Sequence, residues 1–212
     1  MNDNTVGSVI DIFDAKWPMW DYKSLGDRWL NLGCGRVPLP GFINVDKFNG
    51  PGVDQLIDVE KADLPWPDNY FDYIYISHVL EHVPHRTDGI DGEAFYSIFD
   101  EILRVLRVGG ILEVKAPYHK DPNTLADVGH TRLININTFY YWMESEKVSN
   151  DALFYINSGK YLKLVRRKMQ RAFNFGPITA YHFRKYLKIE FGSSRQVTWI
   201  FKIVKKGDAT HV

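Results

Sequence analysis

The stretch RWLNLGCGRVPLPGFINVD (28–46) holds two short apolar runs, and each of them predicts a β-strand. The first run ends at Gly33-Cys34-Gly35, and an apolar run that meets a glycine pair is typical of a strand-to-loop turn. The second run ends at Asp46. The two prolines between the runs disfavour a long helix. The stretch therefore predicts two strands joined by a loop, with a glycine turn and an acid at their carboxyl ends.

The rest of the chain continues this alternation of strands with helices or loops. Phe71–Ile76 is rich in aromatic and β-branched residues, which favour a buried strand. A single apolar stripe at helical period predicts a helix over about 91–107, ended by Gly109-Gly110. Weaker patterns predict strands at 55–59, 111–114, 162–165 and 197–204, and a helix at 137–146. The alternation predicts an α/β fold with a mostly parallel sheet.

In open sheets of this kind, ligands bind beyond the carboxyl ends of the strands. Asp46 comes 13 residues after Gly33, at the end of the next strand, where a carboxylate can accept both hydroxyls of a ribose. A dinucleotide motif, GxGxxG, would need a glycine at position 38, which is Pro38. The pattern therefore favours a ribose-bearing ligand without a pyrophosphate.

Composition excludes several classes of protein. The chain has 212 residues, 45% of them hydrophobic, and its 26 basic and 26 acidic residues balance, which excludes wholesale disorder. Its one cysteine, Cys34, excludes an intrachain disulfide framework and a cysteine-rich zinc site. The first residues contain no basic region followed by an apolar stretch, so no signal peptide is predicted. No apolar run is long enough to span a membrane. We expect a cytoplasmic protein.

The zero net charge divides into two unlike parts. Residues 1–159 carry 13 basic and 24 acidic residues, a charge of −11, whereas residues 160–212 carry 13 basic and 2 acidic residues, a charge of +11. Such asymmetry indicates an anionic partner, or else a solvated basic face on an acidic body. Aromatic residues interleave with the basic ones, a pattern that suits phosphate contact and base stacking as well as plain packing.

Four motifs, taken together, resemble the class I S-adenosylmethionine (SAM)-dependent methyltransferases of the type-11 family. They are LNLGCG (30–35), PGFINVD (40–46), LPWPDNYFDYIYISHVLEHV (64–83) and ILRVLRVGGILEVKAP (102–117). The resemblance implies a Rossmann-like sheet of seven mostly parallel strands with one antiparallel edge strand, 197–204, and helices on both faces. It implies a single domain over 28–212, an N-terminal arm over 1–27 and a substrate-facing elaboration over 119–195.

The resemblance also implies SAM as cofactor, held by residues at the carboxyl ends of the strands. These residues are Leu32, Gly33, Cys34 and Gly35 under the methionine and ribose, Asp46 on the ribose, Lys47, Asp58 and Val59 at the adenine, and Ser77 and His78 near the methionine. Three of them have a plainer alternative. Asp58 suits a solvated strand end, Ser77 suits a turn cap, and Cys34 suits a small packed side chain.

The segment after 117 resembles the substrate-facing part of the family. His119 or His130 would act as a general base and Arg132 would hold an anionic group of the substrate. His78 and His82 compete for the base role, and either candidate base could be a loop histidine bonded to the backbone. The Glu81-His82 pair lacks further ligands at suitable spacing, so no metal site is expected.

We expect a small acceptor, anionic or saccharide-like. RNA methylation and non-catalytic SAM or nucleotide binding are the alternatives, and the oligomeric state is not predicted.

Overall fold

The structure, a computed structural model, describes residues 25–84, 93–119, 121–143, 159–171 and 194–205. These ranges contain seven strands: β1 Trp29–Leu32, β2 Ile43–Asp46, β3 Gln55–Leu56, β4 Phe71–Ser77, β5 Leu106–Pro117, β6 Lys160–Arg171 and β7 Ser194–Lys205. They also contain two α-helices, α1 Glu93–Val105 and α2 Pro122–Ala126, and three 3-10 turns, Val59–Lys61, Leu80–His82 and Tyr140–Trp142.

The seven strands form one sheet in the order β3-β2-β1-β4-β5-β7-β6. The first five of these are mutually parallel, and β7 runs antiparallel to both of its neighbours. The predicted α/β class with a mostly parallel sheet is therefore confirmed. The strand predicted at 197–204 is antiparallel, as expected, and lies between β5 and β6, so that β6 forms the edge.

Helix α1 closes the larger of two apolar cores, on one face of the sheet. Its buried residues Phe95, Ile98, Phe99, Ile102 and Leu103 form the predicted stripe and pack with the buried side chains of β1, β4 and β5. Such burial stabilises by about 1.5–3 kcal/mol per large apolar side chain. None of the helices in the described part of the chain is long and apolar enough to cross a membrane.

Lys160, at the start of β6, caps the end of α1. Its Nζ donates to the carbonyl oxygens of Leu103, Arg104 and Leu106 at 2.7–2.9 Å. Leu103 and Arg104 belong to the last turn of the helix, whose carbonyls have no partner within it, and Leu106 is the first residue of β5. Lys160 is 8% exposed, and burial lowers the pKa of its ammonium. This member of the basic C-terminal segment is therefore a buried cap for a helix.

Three predicted elements differ from the structure. Of the strand predicted over 55–59, only Gln55–Leu56 is a strand, and Val59 begins a 3-10 turn. Gly109-Gly110 does not follow the helix but lies inside β5, where the register jumps from the pair Phe71–Leu106 to the pair Tyr73–Ile111. Gly109 has a φ of +80°, and a Cβ on Gly110 would come within 3.0 Å of the Asp72 carbonyl oxygen, so this bulge needs both glycines. The helix predicted over 137–146 is the 3-10 turn 140–142, and residues 144–146 lie outside the described residues.

The predicted domain divisions are only partly covered by the structure. Of the arm predicted over 1–27, residues 1–24 lie outside the described residues, as do 120, 144–158 and 172–193 of the elaboration predicted over 119–195. Within that elaboration, 160–171 form strand β6 of the main sheet. The division into an arm, a domain and an elaboration stays a prediction.

Candidate active site

A cavity of about 830 Å³ lies over the carboxyl ends of β2, β1, β4 and β5 and reaches the start of β7. Among the residues that line it are nine of the predicted site residues: Leu32, Gly33, Cys34, Gly35, Asp46, Lys47, Val59, Ser77 and His78. The parallel strands bring these residues together because the carboxyl ends of such strands meet at one edge of the sheet. Asp58, His119, His130 and Arg132 do not line the cavity.

The glycine turn after β1 is held against β2 by backbone hydrogen bonds. The amides of Gly33 and Cys34 both donate to the carbonyl oxygen of Val45 at 2.9 Å. Gly33 and Gly35 have φ values of +73° and +53°, which favour glycine. No atom lies within 4 Å of the position that a Cβ of Gly35 would take, so its backbone is open to a ligand in the cavity.

Asp46, at the end of β2, ties this turn to the next loop. Its Oδ2 accepts a hydrogen bond from the Gly35 amide at 2.9 Å, and its Oδ1 accepts one from the Phe48 amide at 2.9 Å. A carboxylate has about four lone-pair sites, so each oxygen keeps a site for a further donor. Asp46 can therefore hold the turn and accept two hydroxyl groups at the same time.

Cys34 is a packed side chain. The residue is 6% exposed. Burial, and then the nearby carboxylate of Asp46, raise the pKa of the Cys34 thiol. A protonated thiol is a poor nucleophile, so the geometry does not support covalent chemistry at this residue.

The wall between β2 and the 3-10 turn 59–61 carries an ion pair. The Lys47 ammonium lies 2.6 Å from Glu60 Oε1, and this hydrogen bond raises the pKa of Lys47. Asp58 caps the 3-10 turn, where its Oδ1 accepts from the Glu60 amide at 3.1 Å. The sequence prediction placed Asp58 on the ligand, whereas in the structure Glu60 lines the cavity and Asp58 supports it from outside.

His78 follows β4 in the left-handed conformation, with a φ of +57°. Its Nδ1 lies 3.1 Å from Oε1 of the fully buried Glu81, and its Nε2 lies 3.3 Å from Gln196 Oε1. The hydrogen bond with Glu81 raises the pKa of His78. This part of the wall therefore combines residues from β4, the turn after it and β7.

Among the cavity residues that were not predicted from the sequence are Tyr75, Lys115 and Gln196. The Lys115 ammonium lies 5.2 Å from the centre of the Tyr75 ring and 3.9 Å from Glu113 Oε1. Alternation along β4 and β5 puts Tyr75 on the face of Ser77, and Lys115 pairs with Ser77 in register. That signal was present in the sequence, whereas nothing there pairs Gln196 with β5.

The candidate substrate residues lie in the segment after β5 and do not line the cavity. His130 Nδ1 lies 3.0 Å from the Thr124 carbonyl oxygen, and the His119 ring packs on Tyr118 with 4.4 Å between ring centres. Arg132 donates to the carbonyl oxygens of Val83 and Pro84 at 2.9 and 2.6 Å. Arg132 thus fastens its own segment to the turn after β4, and the three predicted roles stay predictions.

Solved structures with this fold include proteins from three distant organisms. The chain is 16% identical to a SAM-dependent methyltransferase of Archaeoglobus fulgidus (TM-score 0.55; 93% of this chain and 92% of that one are covered). It is 15% identical to the YcgJ protein of Bacillus subtilis (TM-score 0.52; 97% and 100%). It is 12% identical to a phosphoethanolamine N-methyltransferase of Haemonchus contortus, solved with phosphoethanolamine and S-adenosylhomocysteine (TM-score 0.52; 98% and 44%). No curated protein matches the chain.

These identities show the fold alone, and the family rests on a separate match. Residues 40–114, from the loop before β2 to β5, match the family model of a methyltransferase domain. Over this segment, about a third of its length, the chain matches a methyltransferase domain, and its fold is that of a SAM-dependent methyltransferase of known structure. The resemblance expected from the four motifs is thereby confirmed. The open backbone of Gly35 and the spare lone pairs of Asp46 fit SAM, the methyl donor of such a methyltransferase.

Proposed function

We propose that this methyltransferase transfers the methyl group of SAM to a small anionic acceptor in the part of the cavity lined by His78, Lys115 and Gln196. The observation that carries this proposal is the position of Lys115, a cation inside a cavity whose other end has the features of a cofactor site. The volume of about 830 Å³ lies in the upper part of the range of about 300–1,000 Å³ for small-molecule sites. It suits a cofactor together with a small acceptor.

The cofactor end of the proposal uses residues that the structure already orders. Gly33, Cys34 and Gly35 would lie under the methionine and ribose of SAM, and Asp46 would accept the ribose hydroxyls with its two spare lone-pair sites. Lys47 and Val59 line the adenine end, with Asp58 holding the 3-10 turn behind them. Leu32 lies at the floor, and Ser77 and His78 lie at the methionine end. The turn needs no rearrangement to receive the ligand because its own hydrogen bonds leave these groups accessible.

The acceptor end has one cation that is only partly neutralised. Lys115 is 16% exposed, and its nearest carboxylate oxygen is 3.9 Å away, beyond hydrogen-bond length. That carboxyl belongs to Glu113, and burial raises its pKa, which weakens its electrostatic interaction with the lysine. A phosphate or carboxylate of the acceptor would give Lys115 a charge-assisted hydrogen bond.

Bound SAM supplies a methyl group on a positively charged sulfur. The residues of the chain hold the acceptor nucleophile in line with that methyl group and exclude water. Alignment by itself substantially lowers the activation barrier of methyl transfer. A general base is an addition for a hydroxyl acceptor. For that role His119 and His130 stay the predicted candidates, with turnover of His119→Ala and His130→Ala as the test.

A screen of radiolabelled methyl transfer tests the proposal, with phosphorylated and carboxylated metabolites, neutral saccharides, nucleotides and RNA as acceptors. With the acceptor so found, Lys115→Gln should raise KM by roughly 10- to 150-fold, since hydrogen bonds to charged groups contribute about 1.5–3 kcal/mol. Lys202→Gln, on the exposed surface of β7, is the matched control and should leave KM unchanged. Labelling of neutral saccharides only would overturn the anionic acceptor.

RNA methylation is the second candidate, favoured by exposed basic residues on β6. These residues are Lys163, Arg166, Arg167 and Lys168. None of them lines the cavity. Residues 172–193 and 206–212 of the basic segment, which include 184–188, lie outside the described residues. If RNA is the acceptor, the double variant Arg166→Glu/Arg167→Glu should abolish a salt-sensitive gel shift, whereas a small acceptor predicts unchanged turnover in that variant.

A further inference from the structure

We infer that Glu81, His82 and His130 form a binding site for one divalent transition-metal ion, of the Zn²⁺ type, in the wall of the cavity. One ligand atom from each residue lies within 4.8 Å of the other two. Ligand atoms about 2.0–2.2 Å from one zinc ion lie closer together than this, so small rotations of the side chains bring all three onto an ion. Two histidines and a glutamate are also the protein ligands of one class of catalytic zinc site.

A backbone carbonyl oxygen orients each of the two imidazole rings by a hydrogen bond at Nδ1. His82 Nδ1 lies 2.9 Å from the Gly129 carbonyl oxygen, and His130 Nδ1 lies 3.0 Å from that of Thr124. A carbonyl oxygen can only accept, so each Nδ1 donates to it, and in the neutral form of each ring Nε2 has the lone pair that a metal ion would take. Metal-binding histidines usually have this arrangement, with the second ring nitrogen donating to a carbonyl or carboxylate.

Glu81 supplies an independent observation. Its side chain is fully buried, and although Oε1 pairs with His78, Oε2 has no hydrogen-bond partner among the described residues. A buried carboxylate oxygen without a partner is costly. A cation bound beside it would remove that cost.

The protein backbone holds the two halves of the site together across 48 residues of sequence. The amides of Thr131 and Arg132 both donate to the Glu81 carbonyl oxygen, at 2.9 and 3.0 Å. Thr131 Oγ1 donates to the Val83 carbonyl oxygen at 2.6 Å. The His82 and His130 rings consequently lie edge to face, with 4.9 Å between their centres. The site is therefore ordered by contacts that need no metal.

A possible fourth ligand, a carboxylate oxygen, is nearby, and one side of the site faces the cavity. Asp127 Oδ2 lies 3.4 Å from His130 Nε2, and the Asp127 side chain is 52% exposed. His82 and Gly129 themselves line the cavity near His78. An ion here could bind an oxygen of the acceptor, and this last step alone rests on the proposed function.

Titration of the untagged, chelator-treated full chain with Zn²⁺ and with Co²⁺, in the absence of SAM, tests the inference. We expect one ion per chain, and visible Co²⁺ absorption that reports nitrogen and oxygen ligands. His82→Gln and His130→Gln should each weaken binding more than about 100-fold, because loss of a second-shell partner alone costs 10- to 100-fold. His119→Gln, a histidine outside the cluster, is the matched control and should bind as the wild type does.

Titration of the same variants with S-adenosylhomocysteine, monitored by calorimetry, separates this inference from the proposed function and reports folding. Unchanged Zn²⁺ affinity in both histidine variants, or no saturable binding by the wild type, overturns the metal site even if S-adenosylhomocysteine binds. Zn²⁺ binding without S-adenosylhomocysteine binding would overturn the proposed function and leave the metal site standing.

Discussion

Replacing Gly33 by alanine tests the account of the glycine turn most directly. The residue has a φ of +73°, and an added Cβ would overlap Cγ2 of Val79 on the turn after β4. The left-handed conformation costs a residue other than glycine about 1–2 kcal/mol. Overpacking adds about 1–3 kcal/mol. Gly33→Ala should therefore lower the free energy of unfolding by about 2–5 kcal/mol.

Gly35→Ala is the matched control because Gly35 has a φ of +53° and open space where its Cβ would lie. It should cost only the backbone part, about 1–2 kcal/mol. Urea unfolding measures both variants, provided that the slope with urea is unchanged.

The two contributions to the Gly33→Ala cost are separated by repeating the substitution in a Val79→Ala background. Without Cγ2 of Val79, the cost of Gly33→Ala should fall to about that of Gly35→Ala, an interaction between neighbouring sites that a double-mutant cycle detects. An equal cost of Gly33→Ala in both backgrounds would refute the reasoning, because the overlap with Val79 would then contribute nothing.

Two further predictions concern buried charged groups. Lys160→Met removes the cap from three carbonyl oxygens at the end of α1 and should cost about 1–3 kcal/mol in urea unfolding, while Lys205→Met, at the exposed register partner, should change stability little. Burial raises the pKa of Glu113, whose Oε2 accepts the Tyr73 hydroxyl at 2.7 Å. A raised pKa in the folded state means that stability is lost as the pH rises from the unfolded value, about 4.3, through the folded one. The Glu113→Gln side chain stays neutral and keeps an acceptor for Tyr73. The free energy of unfolding of this variant, relative to that of the wild type, should therefore increase between pH 4.5 and pH 8. A difference that does not change with pH would contradict this.

The sequence predicted those parts of the fold that depend on local periodicity. The stripe from Phe95 to Leu103 formed helix α1, and the apolar runs before Gly33 and Asp46 formed β1 and β2. These patterns are readable because burial on one face imposes a period on consecutive residues. The order of motifs then placed Asp46 and Gly35 at one cavity.

Features that depend on contacts between distant residues could not be predicted in this way. A lysine in a basic segment is usually solvated, and only the approach of β6 to the end of α1 turns Lys160 into a cap. Gly109-Gly110 has the composition of a helix stop, but its conformation is fixed by the neighbouring strand at Asp72. The approach of His130 to Glu81 and His82 likewise follows from a segment folding back, and no spacing in the sequence indicates it.

The position of β7 has a consequence for synthesis of the chain. Protein chains emerge from the ribosome amino end first, and the strands of this sheet are made in the order β1 to β7. Because β7 pairs with both β5 and β6, those two strands have no partner on their facing edges until residues 194–205 have emerged. Unpaired strand edges bind other chains. A chain released before residue 194 would therefore have unpaired edges on β5 and β6 that could bind other chains, whereas a chain that includes residues 194–205 pairs both of these edges with β7.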